Sequence, residues 1–229
     1  SFGTLKDAFR QHTQRIVRGS SPETLNRADA WETDNLTEQQ KLMREMINYE
    51  QNNITALHES LCPEQLFACA RKLLAADQVM LIGHSSSKIL ADYFTLRLNY
   101  LRVFATSIKL DDSFMVQNTL ARLKPGDVVV LFSFKPYHLP IYNVARFADY
   151  RGISVVTITD SLQSPAVTES GDSFICNTST RFFFNSQTAT ISLVNLLISC
   201  MAVELGERLD KMQMEENAVS RFINAGLPR

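Results

Sequence analysis

The segment Val79-Met80-Leu81-Ile82-Gly83-His84-Ser85-Ser86-Ser87-Lys88-Ile89-Leu90-Ala91-Asp92 constrains the fold of this chain more than any other. Four consecutive apolar residues stop at a glycine, pass through a histidine and three serines, and give way to helical periodicity. That order is the signature of a buried strand, a tight polar turn and a helix N-terminus. A strand without a polar face needs cover on both sides, which points to a parallel sheet between helices. The turn itself has two readings. Serines before a helix commonly act as caps, but the same hydroxyls, together with N–H groups at the positive end of the helix dipole, also form an anion site.

The rest of the chain repeats the pattern. Thr37 followed by Gln40 predicts a capping box that opens a long helix through Leu42, Met46, Tyr49, Ile54 and Leu57. Pro63 opens a second helix leading into the strand at 79–82. A helix over 88–100, a strand over 102–105 and a helix over 113–123 follow. The turn Lys124-Pro125-Gly126-Asp127 then precedes Val128-Val129-Val130-Leu131-Phe132-Ser133, the most strand-like run in the sequence. After the loop 134–140 come a helix over 141–150, a strand over 153–159, a helical turn at Ser164-Pro165 and a strand over 173–176. A helix over 187–211 is apolar nearly all round, so it is covered by its own domain, by a partner subunit or by both. The expected assembly is a homodimer or homotetramer. The alternation predicts an α/β fold, a three-layer α-β-α sandwich around a central parallel sheet with a helical N-terminal extension. Residues 1–19 read as a short basic amphipathic helix, 20–35 as a linker carrying Trp31, 36–211 as the main domain and 212–229 as a polar tail.

Charge and motifs narrow the function. The formal net charge is -1, which gives no overall basic field for nucleic acid or an anionic membrane. Cys62, Cys69, Cys176 and Cys200 form no CxxC pair and have no histidine at metal-ligand spacing, so they read as reduced core residues. No signal-peptide pattern opens the chain, and the apolar stretch 191–205 is interrupted by Asn195 and Glu204 and is short for a bilayer. A soluble cytoplasmic protein is expected. No P-loop, HExxH, GxSxG or dinucleotide fingerprint occurs, and no metal or cofactor is expected.

In an open parallel sheet, ligands bind beyond the carboxyl ends of strands whose connections diverge. If the strands at 79–82 and 128–133 are neighbours, Ser85, Ser86 and Ser87 converge with Ser133, Lys135, Tyr137 and His138, with His84 beside them. This set suits a phosphate on a polyhydroxylated body. Each member also has a plainer reading: His138 and Lys135 as solvated loop residues, Tyr137 as a packed ring, and Phe182–Phe184 as a lid or core edge. Isomerisation of a sugar needs a base beside its carbonyl. Neither loop holds a carboxylate, and Asp111, Asp112 and Asp160 read as caps and turn formers, so no catalytic residue is assigned.

With the loops assembled, residues 37–209 resemble the sugar isomerase (SIS) domain, and more narrowly the effector domain of RpiR-type bacterial transcription regulators. The landmarks are GHSSSKILA, in which Ser87 falls on the serine of the family's G-x-G-x-S loop; KPGDVVVLFS; VARFADYRGISVVTITDS; Ser164-Pro165; and FFFNSQTA before the long helix. SFGTLKDAFRQHTQRI is similar to the last helix of that family's N-terminal helix-turn-helix domain. The resemblance implies a non-enzymatic, oligomerising effector domain that binds a phosphosugar or similar anionic carbohydrate. Contact with DNA would be made through a helix-turn-helix domain outside this chain. An active sugar-phosphate isomerase is the alternative. The second loop departs from the family's Ser-x-Ser-Gly-x-Thr: Lys135 stands where a second serine would and His138 where the threonine would. Ser85 likewise replaces the second glycine of the first loop.

Overall fold

A computed structural model describes residues 36–180 and 184–224. They group into two compact units, one of residues 49–205 and one drawn from the flanking segments 36–48 and 206–224. The readings of 1–19, 20–35, Phe182 and Phe183 fall outside the described residues.

In the larger unit, the C-terminal half of α1 (Glu38–Ser60) precedes α2 (Pro63–Ala75), β1 (Val79–Gly83), α3 (Ser86–Tyr100), β2 (Ala105–Ile108), α4 (Ser113–Arg122) and β3 (Val128–Ser133). Then come α5 (Leu139–Tyr150), β4 (Ser154–Thr159), β5 (Asp172–Ile175) and α6 (Thr188–Leu205). Every strand pairing is parallel, and the sheet order is β2-β1-β3-β4-β5. This is the doubly wound order whose ligand crevice opens between its first and third strands.

Alternation along each strand sorts the core into two layers. Val79 and Leu81 of β1, Val128, Val130 and Phe132 of β3, and Val156 and Ile158 of β4 face one way. They pack there against Leu73 of α2, Phe94 and Leu98 of α3, and Leu193, Leu197 and Met201 of α6. Met80, Ile82, Val129, Leu131 and Val155 face the other way, against Ile141, Val144 and Ala148 of α5. The three-layer α/β sandwich is therefore as expected, and the all-apolar runs of β1 and β3 are explained by cover on both faces.

The smaller unit holds the N-terminal part of α1 and α7 (Glu207–Asn224). Thr37 and Gln40 form the expected capping box: the Thr37 N–H donates to Gln40 Oε1 at 2.8 Å and the Gln40 N–H donates to Thr37 Oγ1 at 3.3 Å.

Several boundaries differ from the sequence reading. The strand expected at 102–105 is Ala105–Ile108, because the chain after α3 turns at Arg102 with a positive φ of 58° before pairing with β1. The helix expected over 187–211 is two helices. Gly206 stands at φ 51°, the left-handed conformation that ends a helix, and α7 begins after it. Much of the expected polar tail, through Asn224, is thus helical. Cys69 and Cys176 are buried as expected, whereas Cys62 is exposed, its Sγ donating to Glu64 Oε2 at 3.0 Å. Among the described residues α6 is the one helix long and apolar enough to cross a membrane, contrary to the short apolar stretch expected there. In the fold Leu193, Val194, Leu197 and Met201 of α6 are wholly buried, which explains its composition by its place in the core.

Candidate functional site

β1 and β3 are direct neighbours in register, with Gly83 opposite Phe132, so the loops that follow them meet at one end of the sheet. The connection after β1 leads to α3 on one face and that after β3 to α5 on the other. Between them opens a cleft of about 610 Å³, bordered by His84, Ser85, Ser86 and Ser87 on one side and by Phe134, Lys135, Pro136 and His138 on the other. Phe184, Asn185 and Gln187, just before α6, close a third side.

The first loop is held tightly. A Cβ on Gly83 would lie 2.2 Å from the carbonyl oxygen of Ser87 and 2.8 Å from the Lys88 nitrogen, so only glycine lets the first turn of α3 settle on the end of β1. The Ser87 N–H donates to the His84 carbonyl at 3.1 Å and the Lys88 N–H to that of Ser85 at 3.0 Å. Ser87 is buried, while His84, Ser85 and Ser86 are exposed at the mouth. Ser85 holds φ 55° and ψ −126°, a conformation natural to glycine, and its side chain makes no capping bond to the helix. Ser85 borders the cleft.

The second loop is braced from β4. The Tyr137 hydroxyl donates to Asp160 Oδ1 at 2.8 Å, and the Lys135 N–H reaches Asp160 Oδ2 at 3.4 Å. Burial first, and then the Asp160 carboxylate, push the Tyr137 hydroxyl up to about 12. The Lys135 ammonium lies 5.9 Å from the Tyr137 ring centroid. The Lys135–Pro136 peptide bond is cis. His138 is the N-cap residue of α5 without a side-chain capping bond, and its ring stacks on that of His84 with centroids 3.8 Å apart.

The third side is buttressed from α1. The Ser186 hydroxyl donates to Glu50 Oε2, Asn177 Nδ2 donates to Asn53 Oδ1 at 2.8 Å, and Asn53 Nδ2 donates to the Ser179 carbonyl at 3.3 Å.

Of the residues expected from sequence, Ser85, Ser86, Ser87, Lys135 and His138 are brought together around the cleft. Ser133 and Tyr137 do not border it. Ser133 is buried at the end of β3, and the Ser164 hydroxyl donates to its Oγ at 3.3 Å, while the Tyr137 hydroxyl is engaged by Asp160. Asp112 caps α4 as expected, its Oδ1 accepting from the Met115 N–H at 2.9 Å. Asp160 is a loop brace more than a turn former. Sequence reasoning assigned no role to Asn185 and Gln187. Their signal was a polar pair set directly before an apolar helix, the same strand-end logic that singled out the first two loops. Among the described residues no Asp or Glu borders the cleft, whereas Lys135, two imidazoles and the N-termini of α3 and α5 do. Such a lining favours an anion.

The SIS domain family matches residues 72–200, more than half of the chain. No curated protein sequence matches it. Among solved structures, the sugar isomerase domain of an RpiR transcription factor from Sphaerobacter thermophilus is 25% identical and superposes with a TM-score of 0.73, covering 78% of this chain and 99% of that one. The Vibrio vulnificus NanR protein, complexed with ManNAc-6P, is 17% identical with a TM-score of 0.69, covering 87% of this chain and 74% of that one. The phosphoheptose isomerase GmhA from Neisseria gonorrhoeae is 15% identical with a TM-score of 0.60, covering 72% and 99%. Its matched span, the parallel order of its sheet and the cleft between the loops after β1 and β3 agree: the chain belongs to the SIS domain family.

Proposed function

We propose that this domain is the effector-sensing part of a cytoplasmic transcription regulator and binds a phosphorylated sugar or related anionic carbohydrate without turning it over. The observation that carries this reading is the lining of the cleft. Serine hydroxyls, Lys135 and two helix N-termini supply donors for a phosphate, while among the described residues no carboxylate stands at the cleft to move a proton beside a sugar carbonyl. The likeness to the RpiR factor and to NanR supports a regulator, and NanR's complex with ManNAc-6P supports a phosphosugar. The likeness to phosphoheptose isomerase supports a second reading, an isomerase, in which a cleft histidine would be the base. In the regulator, DNA would be contacted by a helix-turn-helix domain preceding this chain. A bound effector would then act by its differential affinity for two arrangements of a homo-oligomer.

Thermal unfolding against a panel of hexose, pentose and N-acetylhexosamine phosphates tests binding. A ligand present at one hundred times its Kd stabilises the folded state by about 2.7 kcal/mol, a rise of several degrees in Tm. The same panel, followed for aldose–ketose conversion, separates the two readings. Stabilisation without turnover is the expected result, turnover establishes the isomerase, and no stabilisation by any member defeats both.

A further inference from the structure

His84 follows the last residue of β1 and His138 stands at the start of α5, so the two loops of the cleft meet through a pair of imidazoles. Their planes are 2° from parallel and their centroids 3.8 Å apart, and both rings border the cleft. Two positive charges at that separation repel, so a charge on one ring disfavours a charge on the other. His138 Nδ1 is closed off from solvent and has no hydrogen-bond partner among the described residues. Burial first, then the neighbouring His84, hold His138 below the ordinary histidine value, while Asp111 from the loop before α4 acts in the opposite sense. Lys135 adds a further positive charge from the same loop as His138, and the Asp160 carboxylate is engaged by the Tyr137 hydroxyl and the Lys135 N–H. The residues of the cleft by themselves therefore disfavour a proton on His138. A dianion in the cleft supplies both the opposite charge and the acceptors that a protonated ring requires.

We propose that the stacked His84–His138 pair is a proton-coupled specificity element: as a phosphomonoester dianion enters the cleft, the neutral pair takes up one proton from solvent and holds the dianion as a singly protonated pair. The coupling selects dianionic headgroups over neutral sugars and monoanionic acids, and it makes binding tighten as pH falls. It rests on reading the cleft as an anion site.

Sulfate is the probe of choice, because it stays a dianion across the working range, so any pH dependence belongs to the protein. Calorimetric titration of the purified chain with sulfate, in buffers of different ionisation enthalpy, is expected to show net uptake of up to one proton. Affinity should rise by as much as about tenfold per pH unit as pH falls from about 8 to about 6. In the double variant His84→Gln/His138→Gln the slope should vanish. Imidazole proton resonances of the wild type keep the idea testable if that variant fails to fold: sulfate should raise the titration midpoint of a ring in the pair and leave His58 unmoved. Sulfate binding with no pH slope, or a slope that survives in the folded double variant, overturns the proton coupling alone. No binding of sulfate or inorganic phosphate at any pH overturns the anion reading and the coupling with it.

Discussion

Lys135 and Ser85 stand where the loop chemistry of this chain departs most from serine- and glycine-rich phosphate loops. The Lys135 side chain is exposed beside the cleft, and a charge-assisted hydrogen bond to an anion contributes about 1.5–3 kcal/mol. Lys135→Ala should therefore weaken binding of a phosphorylated ligand by about tenfold or more, with a shallower salt dependence than wild type in calorimetric titrations. Equal affinities would remove Lys135 from the site. Ser85 holds a positive φ at a cost of roughly 1–3 kcal/mol, and glycine would relieve that while losing about 0.4–1 kcal/mol through a freer unfolded chain. The first effect is larger, so Ser85→Gly should raise stability by about 1 kcal/mol in denaturant unfolding, a gain that a loss would refute. Sequence showed which residue types lie in these loops and did not show which way they face. Ser87 and Ser133 are both buried, yet Ser87 borders the cleft, whereas Ser133, the last residue of a strand covered on both faces, is turned to Ser164.

At the scale of elements, the junction of β1 and α3 is the tightest constraint on the site. The 2.2 Å clash awaiting a Cβ on Gly83 is with backbone, which cannot rotate away as a flexible side chain would. Overpacking of this kind costs typically 1–3 kcal/mol or more, so Gly83→Ala should lower the unfolding midpoint and displace the N-terminus of α3 from the cleft, losing ligand-induced stabilisation as well. A variant with wild-type Tm and ligand response would contradict that placement. Long, strongly patterned elements were legible in advance: the capping box at Thr37 and the apolar runs of β1 and β3 each carry their own local signal. The β2 strand was displaced by several residues because the turn at Arg102 is fixed by backbone geometry, not by composition. The break at Gly206 was hidden within continuous helical periodicity, and only the backbone angle at one glycine marks it.

Across the whole molecule, the folded state and the cleft are linked through protonation. His138 is held below its ordinary value of about 6.5, chiefly by burial, so the unfolded chain binds a proton there more readily than the folded one does. This contribution to stability is fully present above that ordinary value and is lost as pH falls from it through the lower folded-state value. Unfolding midpoints should fall between about pH 7.5 and 5.5, and His138→Gln should flatten that part of the profile; an unchanged profile would exclude His138 as its source. The parallel sheet and its two covering layers were readable from the order of elements, because doubly wound sheets leave few alternatives, whereas the crevice depended on the strands at 79–82 and 128–133 being neighbours, which the pairing of β1 with β3 shows. The same topology has a mechanical corollary. α3 and α5 lie on opposite faces of the sheet, yet both begin at the cleft. A ligand gripped by both loops is a cross-brace between the two outer layers, so the force of binding is delivered to both sides of the molecule at once.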